Sequence, residues 1–278
     1  MVSRPFAQVD VFSTTPLRGN PVAVVLDGAG LRDDEMRAFA RWTNLSETTF
    51  LLPPRHPDAD YLLRIFTPGG ELPFAGHPTL GSAHAWLESA GSPRTPGGIV
   101  QECGIGLVRL RATGDTIAFA APPLIREGPA DPVDAARAIA VLGVDPRQVV
   151  DVQWADNGPG WLAVLLDSAE TVLALRPDFV AMGSLKVGAV GPHPAGGGSQ
   201  WEVRAFVPGI GVPEDPVTGS LNAGLARWFF RDGIADGPYV ASQGAALGRR
   251  GRITVRPEDG ELWVGGASTT VVRGSVEL

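Results

Sequence analysis

Cysteine is nearly absent: among 278 residues only Cys103 carries a thiol. No intrachain disulfide can form, and a cytoplasmic setting is the expectation. No uninterrupted apolar run approaches the ~20 residues of a membrane-spanning helix. The opening Met1–Asp10 has no apolar h-region, so a secretory signal is not expected. Lys and Arg form no cluster and the net charge is −7, which argues against nucleic acid as a partner. There is no His-x3-His or Cys pair for a metal ion, and His77 and His84 lie two helical turns apart, too far to share one. There is no Gly-x-Ser-x-Gly elbow and no strand followed by Gly-x-Gly-x-x-Gly, so neither a serine hydrolase nor a nucleotide cofactor is expected.

What is present is a chain of 44% apolar residues in which 36 Gly and 25 Pro are scattered between short apolar runs. That pattern reads as many strands joined by tight turns. The length suits two domains, and the sequence repeats itself. Arg64-Ile-Phe-Thr-Pro-Gly69 returns as Arg204-Ala-Phe-Val-Pro-Gly209, an offset of 140. His77-Pro-Thr-Leu-Gly-Ser82 aligns with Asp215-Pro-Val-Thr-Gly-Ser220 at 138, and Pro21–Asp27 with Trp161–Asp167 at 140. Three matches in the same order imply two copies of one domain. We place them at residues 1–125 and 126–278, the last strand being free to return to the first copy, with the junction in Pro122–Pro132.

Within the first copy, Val9–Phe12 and Pro21–Leu26 read as a hairpin. Asp33–Trp42 reads as a short helix with Met36, Phe39 and Ala40 on one face and an Asp at its start as cap. Thr48–Leu52 and Tyr61–Phe66 read as strands. Pro78–Ala90 is the clearest helix, with Pro78 at the first helical position and Gly91 as its stop. Its counterpart Pro216–Arg231 is apolar on most sides (Leu221, Leu225, Trp228, Phe229) and ends before Gly233. Such helices must be covered nearly all round, as by a sheet curled about them. Gly196–Ser199 reads as a mobile surface loop.

Both copies bring a Gly/Pro-rich approach to the start of their longest helix. Helix starts offer unpaired N–H groups and partial positive charge, a seat for a carboxylate. Two such starts related by a pseudo-twofold would face one cleft, with His77 on one side and Asp215 on the other. Taken alone, Asp215 also suits an ordinary cap before Pro216, and His77 a satisfied, partly buried histidine. Ser82 and Ser220 are equally at home as small first-turn residues. Proton transfer further needs a base. Glu47, in Asn44-Leu-Ser-Glu-Thr-Thr-Phe50, is a candidate, although local pattern alone reads it as an exposed Glu at a strand start.

Five segments resemble PhzF-type proteins of phenazine biosynthesis: Val9–Val24, with Gly-Asn-Pro at 19–21; Asn44–Phe50; Arg64–Gly81, with Gly-His-Pro-Thr at 76–79; Glu214–Ser220, with Asp-Pro-Val-Thr-Gly-Ser; and Ser242–Arg249. They stand in the family's order and span nearly the whole chain. The resemblance implies the diaminopimelate epimerase-like fold, an α+β architecture of two pseudo-symmetric domains, each a barrel-like sheet around a central helix. It implies a cofactor-independent isomerase, a homodimer, in which Glu47 does acid–base chemistry while His77 and Asp215 line the substrate site. Gly76, Gly219 and Ser220 match the family's ligand contacts. Relatives in the wider superfamily use a pair of cysteines; a chain with Cys103 alone cannot.

The expected reaction moves a proton on a small, cyclic, amino-acid-like carboxylate such as trans-2,3-dihydro-3-hydroxyanthranilate. Glu47 would need a raised pKa to act as base and then acid, with His77 and Asp215 stabilising the shifting charge. The alternatives are an isomerase, epimerase or C–C bond hydrolase acting on another amino-acid-derived ring, and a non-catalytic protein that binds a small acid.

Overall fold

Val-rich alternation at the start of the chain produces the hairpin it implies. Strand β1 (Ser3–Val11) runs antiparallel to β2 (Asn20–Val25), with Val9 opposite Val22. Helix α1 (Asp33–Thr43) follows and buries Met36, Phe39 and Ala40. Its cap is Arg32, not an Asp: the Arg32 N–H donates to the Glu35 carboxylate. Asp33 lies inside the first turn and pairs instead with Arg64 at 2.6 Å, an ion pair across 31 positions that no local pattern reveals. Asn44, at φ 55°, ends the helix in the left-handed conformation that short polar residues tolerate.

The computed structural model describes residues 1–95 and 98–278. These form two compact units, Met1–Ala120 with Gly265–Leu278, and Ala121–Val264. In the first unit the chain continues through β3 (Glu47–Leu52), β4 (Tyr61–Thr67), β5 (Gly70–Leu72), α2 (Gly76–Glu88), β6 (Gly98–Cys103), β7 (Gly106–Thr113) and β8 (Thr116–Ala120). β2 pairs parallel with β3, β3 antiparallel with β4, β4 parallel with β6, and β6 to β8 follow as a meander.

The second unit comprises β9 (Arg126–Pro129), α3 (Pro132–Leu142), β10 (Val149–Asp156), β11 (Trp161–Leu166), α4 (Ala169–Ala174), α5 (Phe179–Met182), β12 (Lys186–Pro192), β13 (Trp201–Val207), β14 (Val212–Asp215), α6 (Gly219–Arg231), β15 (Tyr239–Gln243) and β16 (Gly251–Glu258). The final strand, β17 (Glu261–Glu277), begins in the second unit and ends in the first, where it pairs with both β8 and β1. Its pairing closes the first unit's strands into a barrel, β1-β2-β3-β4-β6-β7-β8-β17.

Helix α2 runs through that barrel. It is buried from Gly76 to Ala83 and packs against β1, β2, β3, β4 and β8. An all-round apolar surface has no other stable place, and full burial of Leu80 contributes about 1.5–3 kcal/mol. The fit leaves no spare room: a Cβ on Gly81 would lie 2.4 Å from Val22 Cγ1 and 2.9 Å from Val11 Cγ2. Helix α2 starts two residues earlier than its sequence pattern implies, with Ala75 as cap, so Pro78 is the third helical residue and not the first. Near its end, Ala90 takes the left-handed conformation at φ 69°.

The duplication is visible strand by strand. β11 and β12 pair parallel as β2 and β3 do, β13 stands where β4 does, and β13–β15 repeats the parallel β4–β6 pairing. Even side-chain contacts recur. Arg64 lies 5.0 Å over Phe66 and holds Glu71; Arg204 lies 4.9 Å over Phe206 and holds Glu214. In the second unit α6 is buried from Gly219 to Ala226 and packs on β10, β11 and β16. The Gly196–Ser199 segment is a surface turn on which Arg252 hydrogen-bonds the Gly198 carbonyl and the Ser199 hydroxyl.

Candidate active site

Two strand starts and one helix start converge in the first unit. β2 begins at Asn20, β3 begins at Glu47, and the parallel register places Glu47 beside Val22. α2 begins at Gly76, so His77 lies in its first turn. Asn20 is fully buried, and His77 and Glu47 are 4% and 8% exposed. Glu47 is therefore no ordinary surface Glu at a strand start.

The imidazole of His77 bridges the other two. Its Nε2 is 3.2 Å from Glu47 Oε2, and its Nδ1 is 3.2 Å from Asn20 Nδ2. The Glu47 contact is close but not aligned as a hydrogen bond. Burial pushes His77 down to about 3, so it is neutral throughout the physiological range. Gly76 and His77 occupy the first two helical positions, where helix geometry leaves N–H groups without intrahelical acceptors. Deeper in, Ser82 exchanges a hydroxyl hydrogen bond of 2.9 Å with Thr49, and Thr79 accepts from Gln101 at 3.0 Å. Both belong to the helix–barrel packing.

In the second unit the corresponding segment is organised differently. Asp215 does not cap a helix that starts at Pro216. It is the last residue of β14, and Thr218 is the cap residue of α6. The Asp215 carboxylate accepts the Thr218 hydroxyl at 2.6 Å. Gln243 holds the assembly: its Oε1 accepts from Thr218 N–H and Asn222 Nδ2 at 3.0 Å each, and its Nε2 donates to the Asp215 carbonyl and Thr218 Oγ1. The backbone at Thr218 is extended (φ −112°, ψ 102°), so the helix begins only after it. Gly219 and Ser220 are the first two helical residues, and the Ser220 hydroxyl accepts Trp161 Nε1–H at 3.0 Å.

Asn20 and Gln243 are the residues that sequence reasoning leaves without a role. Both lie inside quoted motifs, Gly-Asn-Pro and Ser-Gln-Gly, which is the signal that marks them. Their partners are 57 and 25 positions away.

A family model described as phenazine biosynthesis-like protein (PhzC-PhzF) matches residues 9–274. The chain belongs to the PhzF family. It is 35% identical to a trans-2,3-dihydro-3-hydroxyanthranilate isomerase of Pseudomonas fluorescens, over 97% of this chain and 98% of that protein. It is also 36% identical to antisense-enhancing sequence 1 of Schizosaccharomyces pombe, over 99% of both. The crystal structure of a PhzF family protein from Enterococcus faecalis superposes with a TM-score of 0.82 at 26% identity, over the full length of both chains. The PhzF fold, diaminopimelate epimerase-like, is therefore that of this chain. Among the described residues no group of three or more His, Cys, Asp and Glu is placed to hold a metal ion, and no helix is long and apolar enough to cross a membrane.

Proposed function

We propose that this PhzF-type isomerase moves a proton on trans-2,3-dihydro-3-hydroxyanthranilate or a close analogue, a small cyclic carboxylate bearing an amino group, with Glu47 as the acid–base group. The observation that carries this is the buried Glu47–His77 contact at the start of α2. A carboxylate at 8% exposure beside a neutral imidazole suits a proton carrier. Glu47 takes the proton from carbon and returns it elsewhere on the conjugated system. His77, neutral, donates a hydrogen bond where negative charge develops. The N–H groups of Gly76 and His77 suit the substrate carboxylate.

Asp215, Gly219 and Ser220 enter the proposal through their motif, in which Gln243 holds the Asp215 carbonyl and the Thr218 N–H; Asp215 is assigned to the substrate's amino or hydroxyl group. The relative's printed activity and the motif set support the substrate class. We further propose a homodimer in the cytoplasm.

The test is deuterium uptake. Wild type and Glu47→Gln are incubated in D2O with trans-2,3-dihydro-3-hydroxyanthranilate and the products are followed by NMR and mass. Conversion by the wild type, with turnover lowered ~10²–10⁴-fold in Glu47→Gln and binding nearly intact, is the expected result. Equal turnover in the two removes Glu47 from the mechanism, and no conversion by either removes the substrate.

A further inference from the structure

We propose that Asn20 is a positioning residue that sets the tautomer of His77, holding the proton on Nε2 so that the imidazole faces Glu47 as a donor. The inference deepens the assignment of Glu47 as proton carrier and rests on it. An amide nitrogen can only donate, so the ring nitrogen 3.2 Å from Asn20 Nδ2 must offer a lone pair. A neutral imidazole has one N–H, which then belongs to Nε2. That nitrogen is the one 3.2 Å from Glu47 Oε2, within reach of the carboxylate although not aligned to donate to it.

The opposite arrangement fails at both ends. With the proton on Nδ1, that N–H would meet the amide's own hydrogens, and the bare Nε2 would set its lone pair against the carboxylate's. Turning the Asn20 amide over would cure the first conflict and leave the second. Glu47 therefore disfavours the Nδ1–H form in either orientation of the amide, and the Asn20 amide, with Nδ2 toward Nδ1, fits the Nε2–H form.

Asn20 is built to hold this position. It is the first residue of β2, opposite Val11, and has no exposed surface. The loop that delivers it is tied down by Asp10, whose carboxylate accepts the N–H groups of Arg18 and Gly19 at 2.9 Å each. Gly19 itself passes so close to β1 that a Cβ there would lie 2.1 Å from the Val11 carbonyl oxygen. This rigidity has a chemical consequence. With Nε2 protonated and Nδ1 occupied by Asn20, His77 has no site that can take a proton from Glu47. The proton that Glu47 removes from carbon stays on Glu47 until it returns to the substrate.

The experiment is long-range ¹H–¹⁵N NMR on the ¹⁵N-histidine-labelled, substrate-free protein at neutral pH, for the wild type, Asn20→Asp and Asn20→Ser. The wild type is expected to show His77 protonated at Nε2 alone. Asn20→Asp replaces the donor with an acceptor, so Nδ1 gains a proton and His77 titrates at higher pH. Turnover falls ~10–10²-fold in that variant, as for other groups that orient a catalytic side chain, with KM little changed. Asn20→Ser, whose hydroxyl can still donate, recovers part of the loss.

A wild-type His77 protonated at Nδ1 overturns the proposal, whatever the variants do. So does an Asn20→Asp enzyme that loses turnover while His77 keeps its Nε2–H form, since the role of Asn20 would then be structural. Wild-type turnover in Glu47→Gln, with the Nε2–H form intact, overturns the Glu47 assignment and leaves the tautomer assignment standing.

Discussion

The duplicated Arg–Glu pairs offer a matched experiment within one molecule. Arg204 and Glu214 are 6% and 7% exposed and joined by two parallel hydrogen bonds of 2.9 and 2.8 Å. The same guanidinium donates to the Val172 and Leu175 carbonyls at the end of α4. Arg64 and Glu71 have the same geometry but are 17% and 34% exposed, and Arg64 has a second carboxylate in Asp33 at 2.6 Å. Glu214→Gln turns an amide NH2 or a single carbonyl toward a buried cation that is hydrogen-bonded to no other carboxylate among the described residues. Losing one partner of a buried pair costs about 3–5 kcal/mol. Glu71→Gln leaves Arg64 with Asp33 and access to water, so its cost is about 0–1 kcal/mol. Urea unfolding followed by far-ultraviolet circular dichroism reads both as changes in midpoint at constant slope. The reasoning is refuted if the two variants lose stability equally, because burial would then not be what separates the copies.

Further outcomes follow from other sites. The folded protein binds a proton on His77 only near pH 3, whereas the unfolded chain binds it near 6.5. Between these values the unfolded state therefore holds more protons, and the His77 contribution is complete above about pH 6.5 and lost as pH falls. Stability should decline there with a slope approaching about 1.4 kcal/mol per pH unit, and His77→Gln should flatten that part of the urea-midpoint profile. Cys103 is buried, and burial pushes its thiol up. A thiol reagent should leave the native protein unmodified and add one equivalent after unfolding. Gly81→Ala forces a methyl group against Val22 and Val11 and should destabilise by about 1–3 kcal/mol in the same urea assay.

The elements carried by strong local pattern were legible before the fold was known. The β1–β2 hairpin, α1, β3, β4 and the two long helices follow from apolar periodicity, and the repeat follows from three offsets. What the pattern missed lies at helix starts. Pro78 and Pro216 read as first helical residues because proline is favoured there, yet α2 starts at Gly76 and α6 at Gly219. In the second case Thr218 is extended and serves as the cap, and its N–H is held by Gln243 from 25 positions away. Glu47 was legible only through its motif. Its burial comes from the parallel pairing of β3 with β2 and from His77, neither of which is encoded in the residues beside it. Asn20 is likewise visible only as part of a motif, because its partner His77 lies 57 positions away.

The path of β17 has a consequence for how the protein emerges from the ribosome. The first unit is assembled from two stretches separated in synthesis by the whole second unit, because Gly265–Leu278 belongs with Met1–Ala120. Until those residues appear, β1 lacks its β17 partner along Ser3–Val11, and β8 lacks its own. Both are bare strand edges during this interval, the kind of surface that pairs with the wrong chain. The second unit is continuous and is synthesised within that interval, on the order of ten to thirty seconds at ~5–20 residues per second. Any nascent chain stopped before Gly265 therefore carries the residues Asn20, Glu47 and His77 on a barrel that cannot close.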